Sequence, residues 1–185
     1  MVVISLGAVA QENGPKPKVS DAPLTTEQIA VYRAVLGVYL KGSDRVLNLA
    51  NVTDSLDVAD TACVRGLDAQ VTKGSASIVH RIAPSFVADT KIVLVDSDRQ
   101  QATIKDNDPQ NLMRKAIDDH QKITDEQLDR SIKSAFDTGL FTLSEIAFDR
   151  EHRRAVVSYS FVCGGAMRQR KHSGSKEGRP KLEGA

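Results

Sequence analysis

The segment Val156-Val157-Ser158-Tyr159-Ser160-Phe161-Val162 alternates like a β-strand and runs into Cys163-Gly164-Gly165, where the chain changes character. Before that turn, apolar residues recur with helical and strand periods. After it, Ala166 to Ala185 is poor in apolar residues and carries Arg168, Arg170, Lys171, Lys176, Arg179 and Lys181 against Glu177 and Glu183. A strand with one apolar face needs neighbours, and this segment has no alternating pattern with which to supply one. The composition predicts a disordered basic tail over residues 166–185, following a folded body.

At 185 residues the chain is long enough for one domain with a real core and short for two. Aromatic residues make up 4% and Trp is absent, so that core must rest on Val, Ile, Leu and Ala. The formal charge of +1 hides an asymmetry: without the tail's basic cluster the body is mildly acidic. Such a body offers no electropositive surface for a nucleic-acid backbone. Met1-Val2-Val3-Ile4-Ser5-Leu6-Gly7-Ala8-Val9-Ala10 is an apolar run closing on the small-x-small pattern of a signal-peptidase site, without the usual basic n-region. It predicts an export-signal remnant over residues 1–10 and a secreted or periplasmic product. No other apolar run is long enough to span a membrane. Two cysteines, Cys63 and Cys163, are compatible with an oxidising compartment without requiring one.

Residues 11–23, with Pro15, Pro17 and Pro23, read as a linker, and residues 24–165 as a single domain. Thr25-Thr26-Glu27-Gln28 has capping-box spacing. Ile29, Tyr32, Val35, Leu36, Tyr39 and Leu40 then share a helical face that ends at Gly42. Arg45 to Thr53 and Lys91 to Val95 read as strands, the latter ended by Asp96-Ser97-Asp98, and Ser75 to Asp89 as a short helix ending at Pro84. Asp108-Pro109 is a helix start, with Leu112, Met113, Ala116 and Ile117 as its apolar face. Thr124 and Gln127 repeat the capping box ahead of the stripe Leu128, Ile132, Ala135 and Phe136, closed by Gly139. Phe141 to Phe148 and Arg154 to Val162 flank a polar link and form a hairpin. The class is α+β. An N-terminal amphipathic helix and two later helices pack on an antiparallel sheet ending in that hairpin, a cystatin-like or nuclear-transport-factor-like arrangement by analogy of architecture.

Over Lys91–Gly165 the chain resembles a group of uncharacterised secreted bacterial proteins. The resemblance is carried by Asn107-Asp108-Pro109-Gln110-Asn111-Leu112, by Gly139-Leu140-Phe141-Thr142-Leu143-Ser144-Glu145, and by the Tyr159–Gly165 strand and turn. The group's pattern continues as Tyr-Ser-x-x-Cys-Gly-Gly-Leu-Cys-Gly and further β-structure, and it implies architecture and export rather than chemistry. Here Ala166-Met167-Arg168 replaces the Leu-Cys-Gly. With a CGN codon at Arg168 and permitted codons after it, moving the reading frame forward by one base gives a Cys-Gly turn and two alternating strands, so the ending is read as frameshifted, with a natural basic tail as the alternative. An AGA or AGG codon at Arg168 would place a stop in the shifted frame and exclude that reading. The resemblance also implies a second cysteine beside Cys163 that this chain lacks.

No catalytic set emerges. Cys163 and His152 flank a whole strand, too far apart for a thiol–imidazole pair at about 3.3 Å per residue. Cys63 and Cys163 are therefore read as a structural disulfide or as free thiols. His80, His120, His152 and His172 lack metal spacing. Asp96-Ser97-Asp98 and Asp106-Asn107-Asp108 lack the glycine and distal glutamate of an EF-hand, and Asp118-Asp119-His120 reads as a solvated helix end. No Gly-x-Ser-x-Gly elbow or phosphate loop is present, and Lys73-Gly74-Ser75-Ala76-Ser77 reads as a loop tip. No cofactor is implied, and the partners are unspecified. The leading expectation is an exported, non-enzymatic domain that binds a ligand or partner or accompanies the envelope. An envelope-acting hydrolase, with His80, His120 or Asp residues converging on Cys63 or a serine, is second. Nucleic-acid binding through the aromatic-free tail is third.

Overall fold

The computed structural model describes residues 17–56, 78–87, 91–149 and 151–164, and the backbone of 168–174. The apolar run at residues 1–10, Cys63, the 73–77 loop tip and Arg150 lie outside the described residues.

Helix α1 (Thr26–Leu40) begins where the sequence predicts. The Thr25 hydroxyl accepts the Gln28 N–H at 3.2 Å, and the Gln28 side chain accepts the Thr25 N–H at 2.8 Å. Two of the helix's orphan donors are thereby satisfied. Tyr32, Val35 and Leu36 are buried, and Gly42 takes the left-handed φ of 74° that turns the chain into strand β2 (Leu47–Ala50). Strand β4 (Ile92–Val95) lies parallel to β2 on one side, and β5 (Leu140–Leu143) parallel to it on the other. Strand β7 (Ala155–Val162) runs antiparallel to β5, and the short β6 (Ala147–Phe148) continues β5 along the same neighbour. Leu143 faces Tyr159 while Ala147 faces Val156, four steps on one strand against three on the other. A β-bulge therefore falls at Ser144–Ile146.

The α+β class is observed. The sheet, however, is mixed rather than antiparallel, because β2 reaches β4 and β5 through long connections and not through hairpins. The link from β4 to β5 carries three helices: α2 (Ser97–Asp106), α3 (Pro109–Asp118) and α4 (Asp125–Asp137). Helices α3 and α4 start at Asp108 and Thr124 as predicted; α2 is additional, with Asp96 as its N-cap.

Tyr32, Val35 and Leu36 pack with Leu47, Leu49, Phe86, Phe141, Leu143 and Val157 on one face of the sheet. Ile104 of α2 meets Ala50 and Leu140 on the other. Each fully buried aliphatic or aromatic side chain contributes about 1.5–3 kcal/mol. The apolar face expected on α3 is only partly used: Ala116 is buried, while Ile117 is 72% exposed.

Three further expectations are corrected. Lys18–Ser20, inside the expected linker, is strand β1, parallel to β3 (Ile78–His80). Residues 78–80 thus form a strand where a helix was predicted. The β-branched Ile78-Val79 pair favours it, and Pro84 opens a 3-10 turn (Pro84–Phe86) instead of closing a helix. Arg168–Gly174, inside the expected disordered tail, is strand β8, antiparallel to β7 from Val156↔Gly174 to Val162↔Arg168. The ladder is made by backbone groups, so an open strand edge can recruit a segment that has no apolar alternation.

Candidate functional site

A cleft of about 510 Å³ opens at the end of the sheet where β2 begins and β7 ends. That volume lies within the range of small-molecule sites. The C-terminal turn of α1 supplies Tyr39 and Leu40, the 41–46 loop its floor and lip, α4 supplies Phe136, and β7 with its turn supplies Phe161 and Cys163. The loop is held locally. Ser43 N–H donates to the Leu40 carbonyl at 3.0 Å, Arg45 N–H to the Ser43 hydroxyl at 3.2 Å, and Lys91 Nζ to the Ser43 carbonyl at 2.9 Å.

The walls are aromatic. Phe136 and Phe161 lie nearly parallel with ring centres 6.2 Å apart, Tyr39 is 6.2 Å from Phe161, and it tilts against Phe141 at 4.6 Å. Gly139 leaves room for Phe161, since a Cβ there would come within 2.7 Å of that ring's Cε2. The Arg45 guanidinium lies 5.0 Å over the Phe136 ring, a cation–π geometry. Cys163 is a free, buried thiol. Burial pushes its pKa up, with Arg45 opposing, so the sulfur stays protonated at neutral pH. Burial likewise raises the Tyr39 pKa, and nearby Cys163 adds to that effect. This end of the molecule can hold an apolar group and place a polar one against Arg45.

A second polar cluster lies beyond the opposite ends of β2 and β5. The bulge turns Glu145 inward, where it is 4% exposed. Its Oε1 accepts from the Thr53 hydroxyl and from the His80 N–H (2.9 Å), and its Oε2 faces His80 Nδ1 at 3.0 Å. Thr53 N–H donates to the His80 carbonyl at 3.0 Å, and Tyr32 Oη donates to the Ser144 carbonyl at 2.9 Å. A carboxylate on Nδ1 fixes the ring and leaves Nε2 to act as a base or ligand. Among the described residues, no hydroxyl or thiol hydrogen-bonds that nitrogen.

The other residues singled out in the sequence lie apart. His120 sits just past the end of α3, His152 Nδ1 meets Glu27 Oε2 at 2.8 Å, and His172 lies on β8 opposite Ser158. Asp96 and Asp108 cap helices, accepting from the N–H groups of Arg99 and Gln110 at 2.9 Å each. Among the described residues, no three His, Cys, Asp or Glu side chains converge as a metal site, and no helix is long and apolar enough to cross a membrane.

Sequence reading missed Tyr39, Arg45 and Phe136 as one site because each belongs to a different element. It also passed over Glu145, although a charge inside Phe141-Thr142-Leu143-Ser144-Glu145-Ile146-Ala147-Phe148 is itself a signal of a buried role. Compared with protein-family models, with curated proteins and with solved structures, the chain matches none.

Proposed function

We propose that this protein is an exported, secreted or periplasmic domain that binds a small apolar ligand without transforming it, in the cleft between α1, α4 and the end of β7. The observation that carries this reading is the aromatic wall of Tyr39, Phe136 and Phe161 around about 510 Å³ of open space. Cys163 does not supply a nucleophile, because its raised pKa keeps the thiolate scarce at neutral pH. Export is supported by the apolar run ending in Ala8-Val9-Ala10 and by the resemblance to secreted bacterial proteins.

The test of binding is titration with phenylnaphthylamine, a neutral dye whose emission rises in apolar surroundings. Val46 lines the cleft and is 53% exposed, so Val46→Trp fills the space with little effect on the core. It is expected to weaken dye binding at least about tenfold, with an unchanged unfolding midpoint. Equal binding to both proteins, or none at millimolar dye, ends this reading. Export is checked by fractionating cells and determining the mature N-terminus by mass spectrometry; a start at Met1 in the cytosol refutes it.

The Glu145–His80 pair favours a second reading, the envelope-acting hydrolase, because a carboxylate-oriented imidazole is the usual general base. Turnover of an ester or amide substrate that disappears in a folded His80→Gln variant would establish it over the binding role.

A further inference from the structure

The charge arrangement around the cleft says more about its occupant than the apolar walls do. Among the described residues, the Arg45 guanidinium meets no carboxylate; its contact is the face of Phe136. With no carboxylate on it among the described residues, the guanidinium keeps its N–H groups for a ligand, and they form the fork that binds carboxylates in a bidentate fashion. Lys41 adds a second cation to the same lining and likewise has no partner among the described residues.

Among the described residues, the one acidic group of the lining, Asp44, is turned to Lys91, with Oδ1 3.5 Å from Nζ. The Tyr39 hydroxyl has no hydrogen-bond partner among the described residues, so it is a donor waiting for an acceptor. Burial raises the pKa of both Tyr39 and Cys163, and Arg45 opposes that rise in each, which places its field on the hydroxyl and the thiol together. Both remain protonated at neutral pH and bring no negative charge. One effect opposes an anion: the cleft adjoins the C-terminal end of α1, whose carbonyls carry partial negative charge. That effect amounts to a factor of about two to five in affinity, whereas a charge-assisted pair with arginine gives about tenfold or more.

We propose that the ligand is an amphiphilic carboxylate, its head held between the Arg45 guanidinium and the Tyr39 hydroxyl and its apolar body against Phe136 and Phe161. This rests on the cleft being the binding site.

The experiment compares decanoate, decanol and decylammonium by calorimetry at neutral pH, on the full chain and on its Arg45→Met and Arg45→Lys variants. Chemical shifts of the cleft residues locate the binding. Decanoate is expected to bind at least about tenfold more tightly than decanol, and decylammonium more weakly than either. Arg45→Met should bring decanoate to the level of decanol, and an unchanged circular-dichroism spectrum and unfolding midpoint show that the variant is folded. Arg45→Lys should restore part of the preference, since it keeps the charge but not the fork. Equal affinity for decanoate and decanol, both at the cleft, overturns the carboxylate assignment and leaves the cleft reading standing. Binding of none of the three, or shifts away from Arg45, Phe136 and Phe161, overturns both.

Discussion

Glu145 brings a carboxylate into the interior and closes three segments on it: the bulge, the residues after β2, and β3. Three donors face its two oxygens. Removing it leaves His80 Nδ1 without a partner among the described residues, and leaves the His80 N–H and the Thr53 hydroxyl only their bonds to Thr53 Oγ1 (2.8 Å) and to the His80 carbonyl (3.2 Å), whereas changing it conservatively does not. In Glu145→Gln the amide oxygen still accepts from Thr53 and the His80 N–H. Its NH₂ then faces His80 Nδ1, which accepts by changing tautomer. We predict that Glu145→Ala costs about 3 kcal/mol or more and Glu145→Gln about 1–2 kcal/mol, measured by urea unfolding. An alanine variant that loses less than about 1 kcal/mol would show that the cluster is not a clamp. The anomaly of a charge among strand residues was legible in the sequence. Its partners were not, because Thr53 and His80 lie 92 and 65 residues away and only the fold brings them together.

At the scale of elements, what the sequence made legible was local chemistry. Both capping boxes formed, at Thr25 with Gln28 and at Thr124 with Gln127, because each needs only residues three apart. Helix α2 escaped notice because Ile104 is its one buried residue, and a helix that buries so little leaves no periodic trace. The end of α3 is another hidden feature. Gln121 N–H donates to the Ala116 carbonyl at 2.8 Å and His120 N–H to the Ile117 carbonyl at 3.2 Å, the paired bonds of a Schellman motif. The position that usually holds glycine is occupied by His120, at a φ of 53°. Asp118-Asp119-His120 is thus a helix stop with a strained backbone at His120, and among the described residues the imidazole adds no bond to it. His120→Gly should stabilise the protein by about 0.5–1 kcal/mol, seen as a raised midpoint of thermal unfolding. A lowered midpoint would mean that the histidine side chain contributes there.

For the molecule as a whole, two predictions concern the region around β7. Burial raises the pKa of Tyr32, Tyr39, Tyr159 and Cys163 above their ordinary values. The unfolded chain releases these protons first, so the stability they confer is complete at neutral pH. It falls as pH rises from about 8.5 for the thiol, and from about 10 for the tyrosines, through the raised folded values. Urea midpoints should therefore be level through neutral pH and decline in alkali, and Tyr32→Phe should lessen the decline; a flat alkaline profile would contradict this.

The second prediction turns on β8, the strand that composition alone would not have placed. It covers the side of β7 that β5 and β6 leave open, and it does so through backbone hydrogen bonds. Successive N–H groups along a strand point to opposite sides, so of Arg170 and Lys171 one must donate toward β7. The double change Arg170→Pro with Lys171→Pro therefore removes a ladder bond whichever residue makes it, and it bars a straight strand. A loss of about 2 kcal/mol would lower the melting temperature of a chain this size by about 4–8 °C. The bared edge of β7 should then pair between molecules, raising light scattering with concentration. If the double-proline protein melts and scatters as the parent does, the edge of β7 does not depend on residues 168–174.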